Sequence, residues 1–263
     1  MNETAEPRIA IIIPACNEEA CIARVLDELL ASIDPAKFVV AVGVNDSTDR
    51  TAEIAQRYPV IVSKTDARGY GYGCMAAIDA MTRREPAVNA YLFFAADGAS
   101  DPADIPVLVG AHAAGHEMVL GARTGCRSNW SAMTFPHVVA NVALGLWCGL
   151  LGGRWFTDLA PLRLIDRRLF EAIAPQEMTF GWTIEAQVGA AMLGARIGEV
   201  CARERRRIAG EQKVSGVTWR QTFSIGCRIF GAGWRAHLHF GARVVRPAEE
   251  RSRALVAESP SRA

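Results

Sequence analysis

Residues 8–14 read RIAIIIP, and the rest of the fold can be read outward from this run. Its isoleucines are β-branched, stiff at χ1 and suited to a fully buried strand, which Pro14 is expected to end. From 17 to 32 the spacing of Ile22, Val25, Leu26, Leu29 and Leu30 predicts a helix. Residues 38–44 form a second apolar run, and NDSTDRT (45–51) opens a second helix with Thr48 or Asp49 as its cap. A short strand at 60–63, the glycine-rich RGYGYG (68–73) and a helix at 75–82 follow. AYLFFA (90–95) and residues 118–122 read as a fourth and a fifth strand. Strands alternating with helices predict an α/β fold, a mostly parallel sheet with helices on both faces. Such folds bind ligands at the carboxyl ends of their strands. The loops there read PACNEE (14–19), VNDSTD (44–49), RGYGYG and AADGASDP (95–102).

The chain has 263 residues, half of them hydrophobic and 22% charged, enough apolar material for a sizeable core. A net charge of +1 hides a basic block from 196 to 246, which holds Arg203, Arg205, Arg206, Arg207, Lys213, Arg220, Arg228, Arg235 and Arg243. Such a block is either a solvated face or a site for an anion: a phosphate, a membrane surface or nucleic acid. No helix-turn-helix, RNA-binding aromatic motif or zinc spacing accompanies it, so nucleic acid is set aside. Seven cysteines without CxxC pairs suit reduced thiols. MNETAEPR is polar and unlike a signal peptide, and the longest apolar stretch, 138–153, falls short of the roughly 20 residues that span a bilayer. The expectation is a cytoplasmic protein, soluble or peripheral at the inner face of a membrane.

Seven strings occur in order: PACNEE, VNDSTDRTAEIA, RGYGYGC, ADGASDPADI, TDLAPLRLI, GWTIEAQ and RRRIAGEQKVSG. Together, over residues 8–235, they resemble the bacterial family-2 glycosyltransferases, particularly the branch similar to dolichyl-phosphate mannosyl- and glucosyltransferases. The resemblance implies a Rossmann-like GT-A domain over 1–216. A basic amphipathic helix would follow at 217–245, where aromatic and basic residues interleave, and then a disordered tail at 246–263. It also implies a nucleotide-diphospho-sugar donor (UDP or GDP) and an inverting transfer. The acceptor would be a lipid phosphate or another membrane-associated molecule, or alternatively a soluble or polysaccharide one.

Carried over residue by residue, the resemblance puts Pro14, Ala15, Asn17, Glu19 and Asp46 around base and ribose, with Arg68 near base or diphosphate. Relatives carry Asp-x-Asp after the fourth strand to hold Mg²⁺ or Mn²⁺. Here the string is Ala95-Ala96-Asp97, which leaves three alternatives. Asp97 holds the metal with help from diphosphate and water, the basic C-terminal loop neutralises the diphosphate without metal, or activity is lost and the chain only binds nucleotide sugar. On the acceptor side the resemblance implies Asp158 and Arg163, with Glu185 as base or acceptor-positioning carboxylate and Trp182 as a platform for a sugar ring. Arg207 and Lys213 would meet the diphosphate or an acceptor phosphate, in a loop that Gly210 and Gly216 leave free to close.

Overall fold

The opening run forms β1 (Arg8–Ala15), third from one edge of a seven-stranded sheet in this computed structural model. The structure describes residues 8–124, 126, 129, 135–209 and 219–257, with backbone alone at 135–137, 219–223 and 244–257. β1 lies parallel to β2 (Phe38–Asn45) on one side and to β4 (Val88–Phe93) on the other, and β3 (Ile61–Thr65) extends the sheet beyond β2. Beyond β4 come β6 (Arg163–Asp166), antiparallel to both neighbours, then β5 (Met118–Ala122) and β7 (Ile197–Cys201). The order is therefore β3-β2-β1-β4-β6-β5-β7.

Pro14 does not end β1 as expected, since it still pairs with Gly43. The Ile12 carbonyl accepts from Phe94 on the β4 side, so alternation turns the Pro14 nitrogen that way too. Pairing with β4 stops at Ile12, and the N–H that proline lacks therefore has no ladder partner to lose.

The helices are α1 (Ile22–Ser32), α2 (Thr51–Ala55), α3 (Tyr70–Arg84), α4 (Ile105–Ala113), α5 (Phe135–Gly152), α6 (Arg167–Ile173), α7 (Trp182–Met192) and α8 (Trp219–Ala257). α1 and α2 cover one face of the sheet with α4, whereas α3, α5, α6, α7 and α8 build the core on the other. α3 begins inside the glycine-rich stretch rather than after it. A Cβ on Gly43 would stand 1.9 Å from the Gly73 carbonyl oxygen, so backbone packs on backbone where α3 crosses β2.

Two further expectations change. α8 runs past 245 to Ala257 and takes in most of the stretch expected as a disordered tail. Its Ala232, Ala236 and Phe240 are buried in the core, with the Phe240 ring against Gly189 of α7, so part of the apolar stripe is packing surface. Cys126 and Cys201 form a disulfide, Cα to Cα 5.7 Å, where thiols alone were expected. β7 brings Cys201 up beside Ala122, at the end of the strand that leads to Cys126, and no sequence spacing signals that pairing.

Candidate active site

The loops after β1 and β2 are stitched together. Asn17 and Asp46 both take the left-handed backbone conformation, φ 51° and 44°, which Asn and Asp tolerate better than most residues. The Asn17 N–H donates to Ser47 Oγ (3.0 Å), and its Oδ1 accepts from the Thr48 N–H (2.8 Å). Glu19 Oε2 accepts from the Arg50 N–H (3.1 Å), and the Glu19 N–H donates to Asp49 Oδ2 (3.0 Å). Asn17 and Glu19 thus join the two loops. Pro14 and Ala15 are buried within β1. Asp46 and Arg68 stand at the open edge 3.6 Å apart, the Arg68 side chain 88% exposed.

Asp97 follows β4 at the same carboxyl edge. Its Oδ1 accepts from the Ala99 N–H (3.0 Å), and its Oδ2 lies 3.3 Å from Nη1 of Arg207. Arg207 also donates through Nη2 to Glu18 Oε2, and through Nε to the Ala209 carbonyl (2.7 Å). One guanidinium therefore bridges the β1 loop, the β4 loop and its own segment. Burial works against its charge, but the Glu18 hydrogen bond and the charges of Glu18 and Asp97 outweigh that and raise its pKa. The backbone fixes the arrangement. Ser100 and Glu204 make an antiparallel bridge, Arg205 N–H donates to the Ala99 carbonyl (2.9 Å), and Ile208 N–H donates to the Asp97 carbonyl (3.1 Å).

On the acceptor side, Asp158 is completely buried. Its Oδ2 accepts from the backbone N–H and Nε of Arg123, both 2.9 Å, and its Oδ1 from Nη2 (3.1 Å). Asp158 therefore holds Arg123 in place and has no face toward a substrate. Arg163 is buried too, donating to the carbonyls of Thr183 and Ala160, and burial pushes its pKa down to about 10. Arg123 also lies 3.5 Å from Glu204, whose carboxyl is raised by burial and by Asp97 and Asp158, against the pull of Arg123. Neither Glu204 nor Glu18 figured among the expected site residues. The one signal for Glu204 was a lone acid inside the basic string RERRR.

Trp182 offers no platform: it is 1% exposed, packed against Phe93 and Phe170 with centroids 6.2 and 6.0 Å away, under Gly71. Fitting a bulky apolar ring into the gap left by a glycine wins over exposing it. Glu185 is 6% exposed, and its Oε2 accepts from the N–H groups of Gln176 (2.9 Å) and Glu177 (2.7 Å), tying down the loop before α7. Burial raises its carboxyl above the ordinary glutamate range, although the two N–H groups pull the other way. Lys213, Gly210 and Gly216 lie outside the described residues.

Glu185 thus acts as a structural tie, with a measurable consequence. Glu185→Ala is expected to lose about 1–3 kcal/mol of stability by orphaning the two N–H groups. Glu185→Gln, which keeps an acceptor, should stay near wild type in thermal midpoint and in turnover. The stability that the neutral carboxyl contributes is complete below the ordinary glutamate pKa and is lost as pH rises through the raised folded value. Melting curves across that window should slope downward for wild type and flatten for Glu185→Gln. A collapse of turnover in a well-folded Glu185→Gln would restore it as the base.

A divalent ion implied by the resemblance finds a poor donor set. Ala95 offers no side-chain ligand, and each oxygen of Asp97 already accepts a hydrogen bond, from Ala99 or from Arg207. No group of three or more His, Cys, Asp or Glu among the described residues is arranged to hold a metal.

Comparisons with known proteins agree with this architecture. A profile described as Glycosyl transferase family 2 matches residues 10–170. An uncharacterized glycosyltransferase of Mycobacterium tuberculosis is 31% identical over 211 residues, 79% of this chain and 90% of the relative. A dolichyl-phosphate hexose transferase of Haloferax volcanii is 30% identical over 217 residues, 81% of this chain and 90% of the relative. Among solved structures, glucosyl-3-phosphoglycerate synthase from M. tuberculosis bound to UDP superposes with a TM-score of 0.65 at 20% identity, over 89% of this chain and 81% of that one. The same enzyme was crystallised with Mn²⁺, UDP and phosphoglyceric acid, and with Mg²⁺ and UDP. The sheet is thus of the GT-A kind, and the chain belongs to glycosyl transferase family 2, a hexosyltransferase-type enzyme.

Proposed function

We propose that this enzyme transfers a hexose from a UDP- or GDP-linked donor to the phosphate of a membrane lipid, with inversion, at the inner face of a membrane. The observation that carries the reading is the Arg207 bridge between Glu18 and Asp97. It sets a charged fork at the carboxyl ends of β1 and β4, where a parallel α/β sheet binds its ligand. Asp46, Arg68 and the backbone of 14–19 would line base and ribose, and Arg207 with Lys213 would face the diphosphate.

An acceptor phosphate is already ionised near neutral pH. Its oxygen attacks the anomeric carbon, the bond from that carbon to the diphosphate oxygen breaks, and the nucleoside diphosphate leaves with the electron pair. No proton needs removing, which suits a site whose Asp158 and Glu185 are both committed to structure. An alcohol acceptor would need a base, and on this reading that role would fall to half-buried Glu204, 3.5 Å from Arg123 and with its carboxyl raised by burial. Similarity to a dolichyl-phosphate hexose transferase favours the lipid phosphate.

A surface supports the lipid reading as well. Val139, Val142, Leu146 and Leu150 make one exposed stripe on α5, and Phe230, Trp234 and Leu238 make another on α8. Trp147 joins the two helices, stacked 6.5 Å from Trp234 with its Nε1 donating to the Phe230 carbonyl (3.2 Å). Arg228 lies exposed beside the α8 stripe, as on helices that lie on anionic bilayers, whereas Arg235 is paired with Glu177. No described helix is long and apolar enough to cross a membrane. The protein is expected to float with vesicles containing anionic lipid, and Trp234→Glu with Leu238→Glu should cut the floated fraction several-fold. Equal flotation of that variant would remove these helices as the docking face.

The functional test is transfer of labelled hexose from UDP- or GDP-sugars to a polyprenyl phosphate, read in the organic phase. Label moving only to a soluble phosphorylated acceptor or a polysaccharide would replace the lipid reading.

A further inference from the structure

We infer that the cation facing the donor diphosphate in this enzyme is the Arg207 guanidinium, and that nucleotide binding needs no divalent metal. The inference rests on the proposed nucleotide-sugar site and specifies what neutralises the charge there. After the fourth strand this chain offers Ala95 and, of carboxylates, Asp97 with Asp101 four residues on. A divalent ion on Asp97 would have to share Oδ2 with Arg207, 3.3 Å away, and Oδ1 with the Ala99 N–H, and would stand beside the guanidinium charge. The position between the carboxylates of Glu18 and Asp97 already holds a cation that belongs to the protein.

That cation can still bind. A guanidinium has five N–H donors in a planar fork, and it binds phosphate well because the fork matches two oxygens at once. Asp97, Glu18 and the Ala209 carbonyl take one donor each, which leaves one N–H on Nη1 and one on Nη2. The Arg207 side chain keeps 18% of its surface exposed. Repulsion between an arriving diphosphate and the two carboxylates is opposed by Arg206, exposed next in sequence, and by Arg68 on the same edge of the sheet. The bridge from Ser100 to Glu204 and the Ile208-to-Asp97 hydrogen bond hold the fork at the end of β4, so no metal is needed to assemble it.

Titration calorimetry with UDP and with GDP tests this, each in EDTA and in Mn²⁺, on wild type, Arg207→Gln, Arg207→Lys and Ala95→Asp. The expected result is binding in EDTA, with an affinity that Mn²⁺ changes by less than about threefold. Arg207→Gln should weaken binding by roughly tenfold or more, and Arg207→Lys, which keeps the charge but not the fork, should weaken it less. Ala95→Asp, which rebuilds the acidic pair, should gain Mn²⁺-dependent affinity. Wild-type binding that tightens beyond threefold with Mn²⁺, or an Arg207→Gln protein that binds like wild type, would overturn the inference while leaving the transferase reading intact. Absence of binding to either nucleotide in both buffers would overturn that reading itself. Should Arg207→Gln fail to fold, the wild-type metal comparison and Arg207→Lys decide alone.

Discussion

Asp158→Ala is expected to destabilise the fold by about 3–5 kcal/mol, the largest stability effect of any single change considered for this enzyme. Asp158 is fully buried and makes three hydrogen bonds to Arg123, one to its backbone and two to its side chain. Removing the carboxylate strands a guanidinium that is itself only 13% exposed, with Glu204, 3.5 Å away, as its remaining partner. The backbone of the turn after β5 loses its anchor at the same time. In a domain of this size the change should lower the thermal midpoint by about 10 °C. Asp158→Asn keeps the shape without the charge and should fall in between. A pair of variants that melt like wild type but fail to turn over would show instead that Asp158 acts on the substrate.

Arg207→Gln should have the largest effect on turnover, a loss in kcat on the order of 10²–10³, the usual effect of removing one preorganised charge from a developing anion. The leaving nucleoside diphosphate gains negative charge as the sugar bond breaks, so an interaction that strengthens at that moment lowers the barrier. Glutamine also removes the positive charge that Arg207 sets against the Glu18 carboxylate, 8% exposed, and against Asp97. Arg207→Lys separates the two consequences. It should fold like wild type yet lose the two-pronged contact, and its turnover should lie between the other two. Equal turnover in all three proteins would show that the diphosphate lies elsewhere.

Most of the architecture could be read in the sequence because periodicity and loop chemistry point the same way. RIAIIIP and the strands after it announced five of the seven strands, and PACNEE, VNDSTD and AADGASDP fall at the carboxyl edge as a parallel sheet requires. β6 escaped because its four residues are too few to show a period, and the half-exposed β7 has no apolar alternation. The site was less legible, since a residue type does not show which way its side chain turns. Trp182 and Glu185 sit in a motif that the resemblance makes functional, but Gly71 leaves room that the indole fills, and two loop N–H groups claim the carboxylate. Glu204 went unseen because its meaning depends on Asp97 and Arg123, 107 and 81 positions away in sequence but close in space.

Donor cleavage at the Arg207 fork is read most directly as release of nucleoside diphosphate from a panel of UDP- and GDP-hexoses. At least one donor is expected to release its nucleotide in the presence of a polyprenyl phosphate, and Arg207→Gln to abolish most of that release. No release from any donor with lipid or soluble phosphate acceptors, in a protein shown to be folded, would contradict donor cleavage there.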